Sequence, residues 1–280
     1  MHPAIPTMTI PILLILVATT LNATDQEKKP DNQTVIEDLA PEKTATKVDY
    51  LKDKTSDQTP GDAAMLYHIP GLTLTESGGP LASSQIRYHG LSNARMPVDL
   101  EGLSMTNPLH GVLDANALFL FAAEKLTADT QSLSIKLPKV EKPQAKGVIG
   151  YGSHNTFKFG ASAGTPLSTY SSIFAAMQMA VTNGDFSYSS PDVAVSERKN
   201  FYRRNNDQHR LQALVKFERL APSQKAHAML AFNSHEGGIA GFAFSPTTDL
   251  RQRVTFCGVK AGISQRVKNA EFGFDVSNSV

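Results

Sequence analysis

Residues able to do chemistry are plentiful in this chain, but their spacing does not assemble a catalyst. Ser, His and Asp recur throughout, yet no nucleophile elbow of the Gly-x-Ser-x-Gly type is read among them. The eight His residues show neither His-x-x-x-His nor His-Glu-x-x-His spacing, so no metal centre and no cofactor is expected. His235-Glu236 is read as a solvated outer-loop pair, with contact to a metal complex as the alternative. One stretch that could carry chemistry is IRYHGLSNARMPVDLEGLSMTNP, from Ile86 to Pro108, which carries Arg87, His89, Asp99 and Glu101 between Gly and Pro breaks. It could be a reactive loop or a structural signature. A second stretch, SERKNFYRRNND from Ser196 to Asp207, is basic and holds two aromatics, as a loop that attracts anions would. The third is QTVIED, Gln33 to Asp38, a β-prone run inside a solvated segment.

The elements that must position these residues follow from composition. The chain has 280 residues, a net charge of +1, one Cys and no Trp. Near-neutral charge gives no reason to expect a nucleic-acid partner, and a single Cys excludes an intrachain disulfide. Ile10 to Ala18 is apolar but shorter than the roughly 20 residues a membrane helix needs. With the small, polar residues after it, this reads as a secretory signal over residues 1–23, cut after Ala23. A short interfacial or core segment is the alternative. Residues 24–60 are too polar to offset ordering entropy and read as a flexible leader.

From Gly61 the chain becomes foldable. Asp62 to Leu72 suits a short helix stopped by Pro70, and Asp114 to Leu120 a second one capped by Asp114. Strands are expected over Leu72 to Ser77, Ser84 to Tyr88, Met96 to Leu100 and Thr130 to Leu137, with a turn at Glu101-Gly102 and a loop at Ser92 to Arg95. Residues 61–140 therefore form an α+β domain.

After KVEKPQAKG the pattern becomes period two. Leu211, Ala213, Val215 and Phe217 alternate with Gln212, Leu214, Lys216 and Glu218; Ala226, Ala228, Leu230 and Phe232 share a face; Phe272, Phe274 and Val276 oppose Glu271, Gly273 and Asp275. Short connections (TPLSTY, LAPSQKA, SQRVKN) alternate with long ones. Strands of this length with alternating tight and long connections point to antiparallel transmembrane β-barrel strands over residues 146–280, about seven in number and so an incomplete barrel. A soluble β-sandwich is the alternative. Seven strands leave two open edges, so the chain alone is not expected to form a monomeric pore.

The order of these parts resembles the start of a TonB-dependent outer-membrane receptor. DAAMLYHIPGLTLTESGGPLAS resembles the opening of that family's plug domain, and IRYHGLSNARMPVDLEGLSMTNPLHG its Arg-Gly-Leu … Val-Asp-Gly core. DANALFLFAAEKL resembles the segment after that core, QTVIED the TonB box, and GVIGYGSHNTFKFGASAG the first barrel hairpin. The chain departs from the family in having His89 before Gly90 and Glu101 where Asp is usual. The resemblance implies no enzyme, but a receptor for energy-coupled uptake of a ferric siderophore or cobalamin-like complex. It would sit in outer-membrane lipid and be driven by TonB, with its ExbB/ExbD energy complex, acting on Gln33, Thr34, Val35 and Ile36. Arg87, His89, Asp99 and Glu101 would make polar contacts between plug and barrel. Ser92, Asn93, Arg95, Arg198, Lys199, Arg203 and Arg204 would touch the ligand. The alternatives are a plug-containing outer-membrane binding or structural protein that no longer transports, and a secreted β-rich enzyme.

Overall fold

The computed structural model describes residues 63–76, 81–88, 90–92, 97–106, 113–128, 132–189, 200–242, 245–267 and 270–279. The signal, the leader and the TonB-box-like residues Gln33, Thr34, Val35 and Ile36 lie outside the described residues, as do His89, Asn93, Arg95, Arg198 and Lys199.

The first element is a 3-10 helix, Ala63–His68, where a short helix was expected. Its buried residues Ala63 and Leu66, followed by Ile69, recur every three positions, the period at which 3-10 side chains eclipse. Strands β1 (Leu72–Glu76), β2 (Ser84–Tyr88) and β3 (Leu91–Ser92) form one antiparallel sheet. Ser92 pairs with Arg87, so the expected loop starts as a strand instead. Gly90, with φ of 79°, takes the left-handed conformation that the hairpin between β2 and β3 needs.

Strands β4 (Val98–Leu100), β5 (Leu103–Ser104), β6 (Lys125–Ala128) and β7 (Leu133–Lys136) form a mixed sheet of order β5-β4-β7-β6, with β4 and β7 parallel. Glu101 and Gly102 both have positive φ and form the two-residue link from β4 to β5, a primed turn. Asp99 accepts a hydrogen bond from the Gly102 amide at 2.7 Å and locks that turn.

The second expected helix is only a 3-10 turn, Ala115–Ala117, capped by Asp114. The following residues, Leu118 to Ala122, are all buried, so no one-sided helical stripe exists to dock. Leu66, Ile86, Leu100, Leu118, Leu133 and Ile135 fill the centre of this α+β unit.

The rest of the chain builds one open, antiparallel, seven-stranded sheet. Its members are β8 (Gln144–Gly152), β9 (Thr156–Ser168) and β10 (Ser171–Thr182), followed by a small hairpin of β11 (Phe186–Ser189) and β12 (Asn200–Arg203). Then come β13 (Gln208–Ala221), β14 (Gln224–Gly238), a minor pair β15 (Gly241–Phe242) and β16 (Ser245–Pro246), β17 (Arg251–Val267) and β18 (Ala270–Ser279). The order β18-β17-β14-β13-β10-β9-β8 is purely sequential, and the two edge strands do not meet. Seven long strands were expected from the period-two pattern. One end of the sheet carries the tight turns after β9 and β13, the other the long connections after β10 and β14.

The burial of this sheet is inverted relative to a soluble protein. Many large apolar residues of these strands face away from the α+β unit: Leu211, Val215, Leu230, Val259 and Ile263 are exposed, and Phe274 is 70% exposed, whereas Phe174, Leu214 and Met229 are buried against it. The polar residues of the same strands are buried against that unit, among them Gln212, Lys216 and Asn233. A sandwich buries its apolar faces; this sheet shows them to its surroundings, as a lipid-facing wall does.

Candidate functional site

The inward face of the wall is laid out in rows by strand register. Gln178 of β10 pairs with Gln212 of β13, which pairs with Asn233 of β14. The next row toward the long connections is Ala180, Arg210 and His235. Toward the tight turns comes a row of Ala176, Leu214, Ala231 and Gly258, all buried. Beyond it lie Lys216, Met229 and Lys260, then Glu218, His227, Gly262 and Asp275. Two polar layers are thus separated by a small-residue and apolar layer.

Asp114 is the hub of the upper polar layer. One carboxylate oxygen accepts from the backbone amides of Ser84 and Asn116, each at 3.0 Å. The other accepts from Arg210 Nη2 at 2.8 Å and lies 3.9 Å from His235 Nδ1. His235 Nε2 meets Gln208 Oε1 at 2.6 Å. Gln212 donates to the Asn116 carbonyl at 3.1 Å. The arrangement joins the α+β unit to β13 and β14 with a buried ion pair, whose loss on one side would strand the other charge. Asp114 shows in sequence only as a helix cap. Arg210, Gln208 and Gln212 stand out only through the polar parity of β13, because sequence does not say which face is covered.

Glu101 is the hub of the lower layer. Its carboxylate is 3.3 Å from Lys216 Nζ and accepts from the Leu137 amide at 2.7 Å. Its carbonyl accepts from Lys260 Nζ at 2.6 Å. Lys216 also pairs with Glu218 at 3.1 Å. The positive φ of Glu101 turns its carboxylate out of the hairpin toward the wall.

Of the other expected contact residues, Asp99 is used within the α+β unit, accepting from Gly102 and from Ser134. Arg87 is exposed on β2. Arg203 donates to the Gly241 carbonyl, and Arg204 is exposed.

His235 corrects the sequence reading. It lies within β14 and is 4% exposed, not on an outer loop, because pairing of Arg210 with His235 carries the strand on to Gly238. The Gly-x-Ser-x-Gly spacing is a second correction: it does occur, Gly160 to Gly164, but it runs straight through β9 with no turn to present Ser162. Its glycines serve packing. A Cβ on Gly164 would meet Val140 at 2.7 Å, and one on Gly160 would meet the Phe121 ring at 3.0 Å.

At the end with long connections, Asn205 ties the two loops together by donating to the carbonyls of Leu250 (2.9 Å) and Ile239 (3.1 Å). Asp207, just outside β13, accepts two hydrogen bonds from Arg251, which hold its carboxyl below the usual range. Neither asparagine nor aspartate here is marked by any spacing rule. Among the described residues no group of three metal-ligating side chains comes together.

No family model matches the chain, and no curated protein matches it. Solved structures do. The FrpB iron transporter from Neisseria meningitidis aligns with a TM-score of 0.61 at 11% identity, over 85% of this chain and 40% of that one. The copper transporter OprC aligns with a TM-score of 0.56 at 11% identity, over 78% of this chain and 34% of that one. FpvA of P. aeruginosa, solved with pyoverdines and iron, gives 0.53 at 10% identity over 78% of this chain and 31% of that one. The chain therefore spans well under half the length of each. At such identities the likeness is one of fold. The antiparallel wall matches the barrel part of TonB-dependent receptors, with the cylinder left unclosed by these seven strands.

Proposed function

We propose that the chain acts in the outer membrane as a TonB-dependent receptor for uptake of a scarce chelated solute, a ferric siderophore or cobalamin-like complex. The observation that carries this reading is the inverted sheet, apolar outside and polar against the α+β unit. In this reading the α+β unit is the plug. The Asp114–Arg210 pair and the Glu101–Lys216–Lys260 cluster latch it to the wall. Buried latches of this kind favour one seated position and part only when work is done on the plug. That work would come through TonB pairing with Gln33 to Ile36 by strand addition. Arg198, Lys199, Arg203 and Arg204, with Ser92, Asn93 and Arg95, would meet the ligand.

The test is a deletion of the gene in its native host. Growth should fail when iron or cobalt is supplied only as a bulky chelate, and loss of TonB should reproduce the defect. Removal of residues 33–38 should stop uptake yet leave ligand binding at the cell surface intact. Normal uptake in the deletion, with the protein found in the outer membrane of the parent strain, would favour a non-transporting binding protein.

A further inference from the structure

Gln208 stands where the outer connections meet the buried hub at Asp114. Its side chain is buried and lies so close to the Gly237 backbone that a Cβ there would displace it. Its Nε2 donates to the Gly238 carbonyl at 3.2 Å. That leaves Oε1, an acceptor, toward His235 Nε2 at 2.6 Å, so this ring nitrogen carries the proton. In the neutral ring Nδ1 is then a lone pair, and it faces Asp114 Oδ2 at 3.9 Å. Arg210 reaches the same oxygen through Nη2 alone; its Nε and Nη1 are buried with no hydrogen-bond partner among the described residues. Gly238 is also where the connection after β14 is tied down. Its amide donates to the Asp207 carbonyl at 2.9 Å, and a Cβ on it would meet the Asn205 carbonyl oxygen at 2.5 Å. Asn205 in turn holds Ile239 and Leu250, and Arg203 donates to the Gly241 carbonyl.

We propose that Gln208 is a positioning residue that makes the hold on Asp114 depend on the seat of the outer connection, through an amide turn coupled to the His235 tautomer. Two arrangements satisfy these groups. With Gly238 seated, Gln208 donates to it, His235 keeps its proton on Nε2, and the Nδ1 lone pair leaves Asp114 to Arg210. With Gly238 lifted, the Gln208 amide turns over and donates to His235 Nε2. The ring proton passes by way of solvent from Nε2 to Nδ1, so the ring stays neutral. Nδ1–H then donates to Asp114 Oδ2 beside Arg210, and strands β13 and β14 hold the carboxylate together. Such an element gives the coupling a two-state physical basis. Its place in uptake rests on the reading proposed above. There, an anionic ligand drawing Arg203 off the Gly241 carbonyl would lift the connection and firm the upper latch, leaving its release to work done on the plug.

The experiment uses the full chain, isotope-labelled at the histidine nitrogens, in a non-ionic detergent at about pH 7.5, above the ordinary histidine pKa. Long-range proton–nitrogen correlation reads the His235 tautomer, assigned by its loss in H235Q. The parent should show Nε2–H. N205A, which unties Ile239 and Leu250, should move His235 toward Nδ1–H, and Q208L, which removes the acceptor of Nε2–H, should do so fully. R253Q, exposed near the outer end of β17, should leave Nε2–H in place. Hydrogen exchange supplies the second readout. In N205A the Ser84 and Asn116 amides, which donate to Asp114, should exchange about fivefold more slowly, the effect of one added net hydrogen bond. A merely structural loss at Asn205 would speed them instead. The Leu137 amide, held by Glu101, should not change, and N205A should slow nothing in the H235Q background. Nδ1–H in the parent would overturn the proposal, as would Nε2–H retained in Q208L or faster exchange at Ser84 in N205A. Both readouts are taken without ligand, so their failure strikes the coupling and leaves the uptake reading to its own growth test.

Discussion

The α+β unit and the seven-stranded wall use the same period-two alternation with opposite results. In β2, Ile86 and Tyr88 are buried while Gln85 and Arg87 are exposed, the usual choice in water. In β13, Leu211 and Val215 are exposed while Gln212 and Lys216 are buried. The alternation itself carries no sign. The sign comes from what each face meets: water outside the first sheet, and a polar, ion-paired unit inside the second. Apolar burial drives the first region. In the second, the polar groups are covered by the α+β unit and must find partners there; in the proposed membrane setting, hydrocarbon on the other face would leave few waters to serve them.

This contrast can be broken at its strongest point. Arg210→Ala should cost about 3–5 kcal/mol, since it leaves the Asp114 carboxylate buried without its ion-pair partner. Urea unfolding in lipid vesicles would measure it, and the double variant with Asp114→Ala should recover part of the loss. In the α+β unit, Leu100→Ala should cost about 2–5 kcal/mol through a core cavity, read by the same titration. On the wall, Leu230→Arg should cost about 2–4 kcal/mol in a bilayer, a penalty that a solvated face would not impose. Gly164→Val should cost about 1–3 kcal/mol by overpacking against Val140 and Phe174.

The smallest expected effect lies at the loop end. Asp207 has a folded pKa below its ordinary value of 3.8, held there first by its hydrogen bond from Arg251. A lowered carboxyl pKa stabilises the fold above the unfolded pKa and loses that stabilisation as pH falls through and below it. Asp207→Asn should therefore flatten the stability profile below about pH 4, leave the midpoint near its parental value under acid conditions, and lower it slightly at neutral pH. The pair is partly exposed, so the change is that of a surface ion pair.

Much of this architecture was legible in the sequence. Strand β2 was readable to its exact ends, the Glu101-Gly102 turn to its residues, and the wall to its seven strands, because periodicity and turn chemistry are local signals. The contact layer was not. Glu101 and Asp114 belong to segments far from β13 in the chain, and nothing local says that Lys216 and Arg210 wait opposite them. His235 was misplaced for a related reason: Glu-Gly-Gly after it looks like a loop start, yet cross-strand pairing holds the strand through Gly238. The two expected helices shrank to 3-10 turns because their apolar residues are spaced by three or crowd every side.

The central claim is that the outward face of the wall lies in hydrocarbon. Spin labels placed singly along β14 in a Cys257→Ser background test it directly, by comparing collision with oxygen against collision with a water-soluble nickel chelate. Labels at positions 228, 230 and 232 should be rich in oxygen contact and shielded from nickel, while those at 229, 231 and 233 should be shielded from both. Nickel access at 228, 230 and 232 equal to that of a solvent-exposed surface would contradict the account.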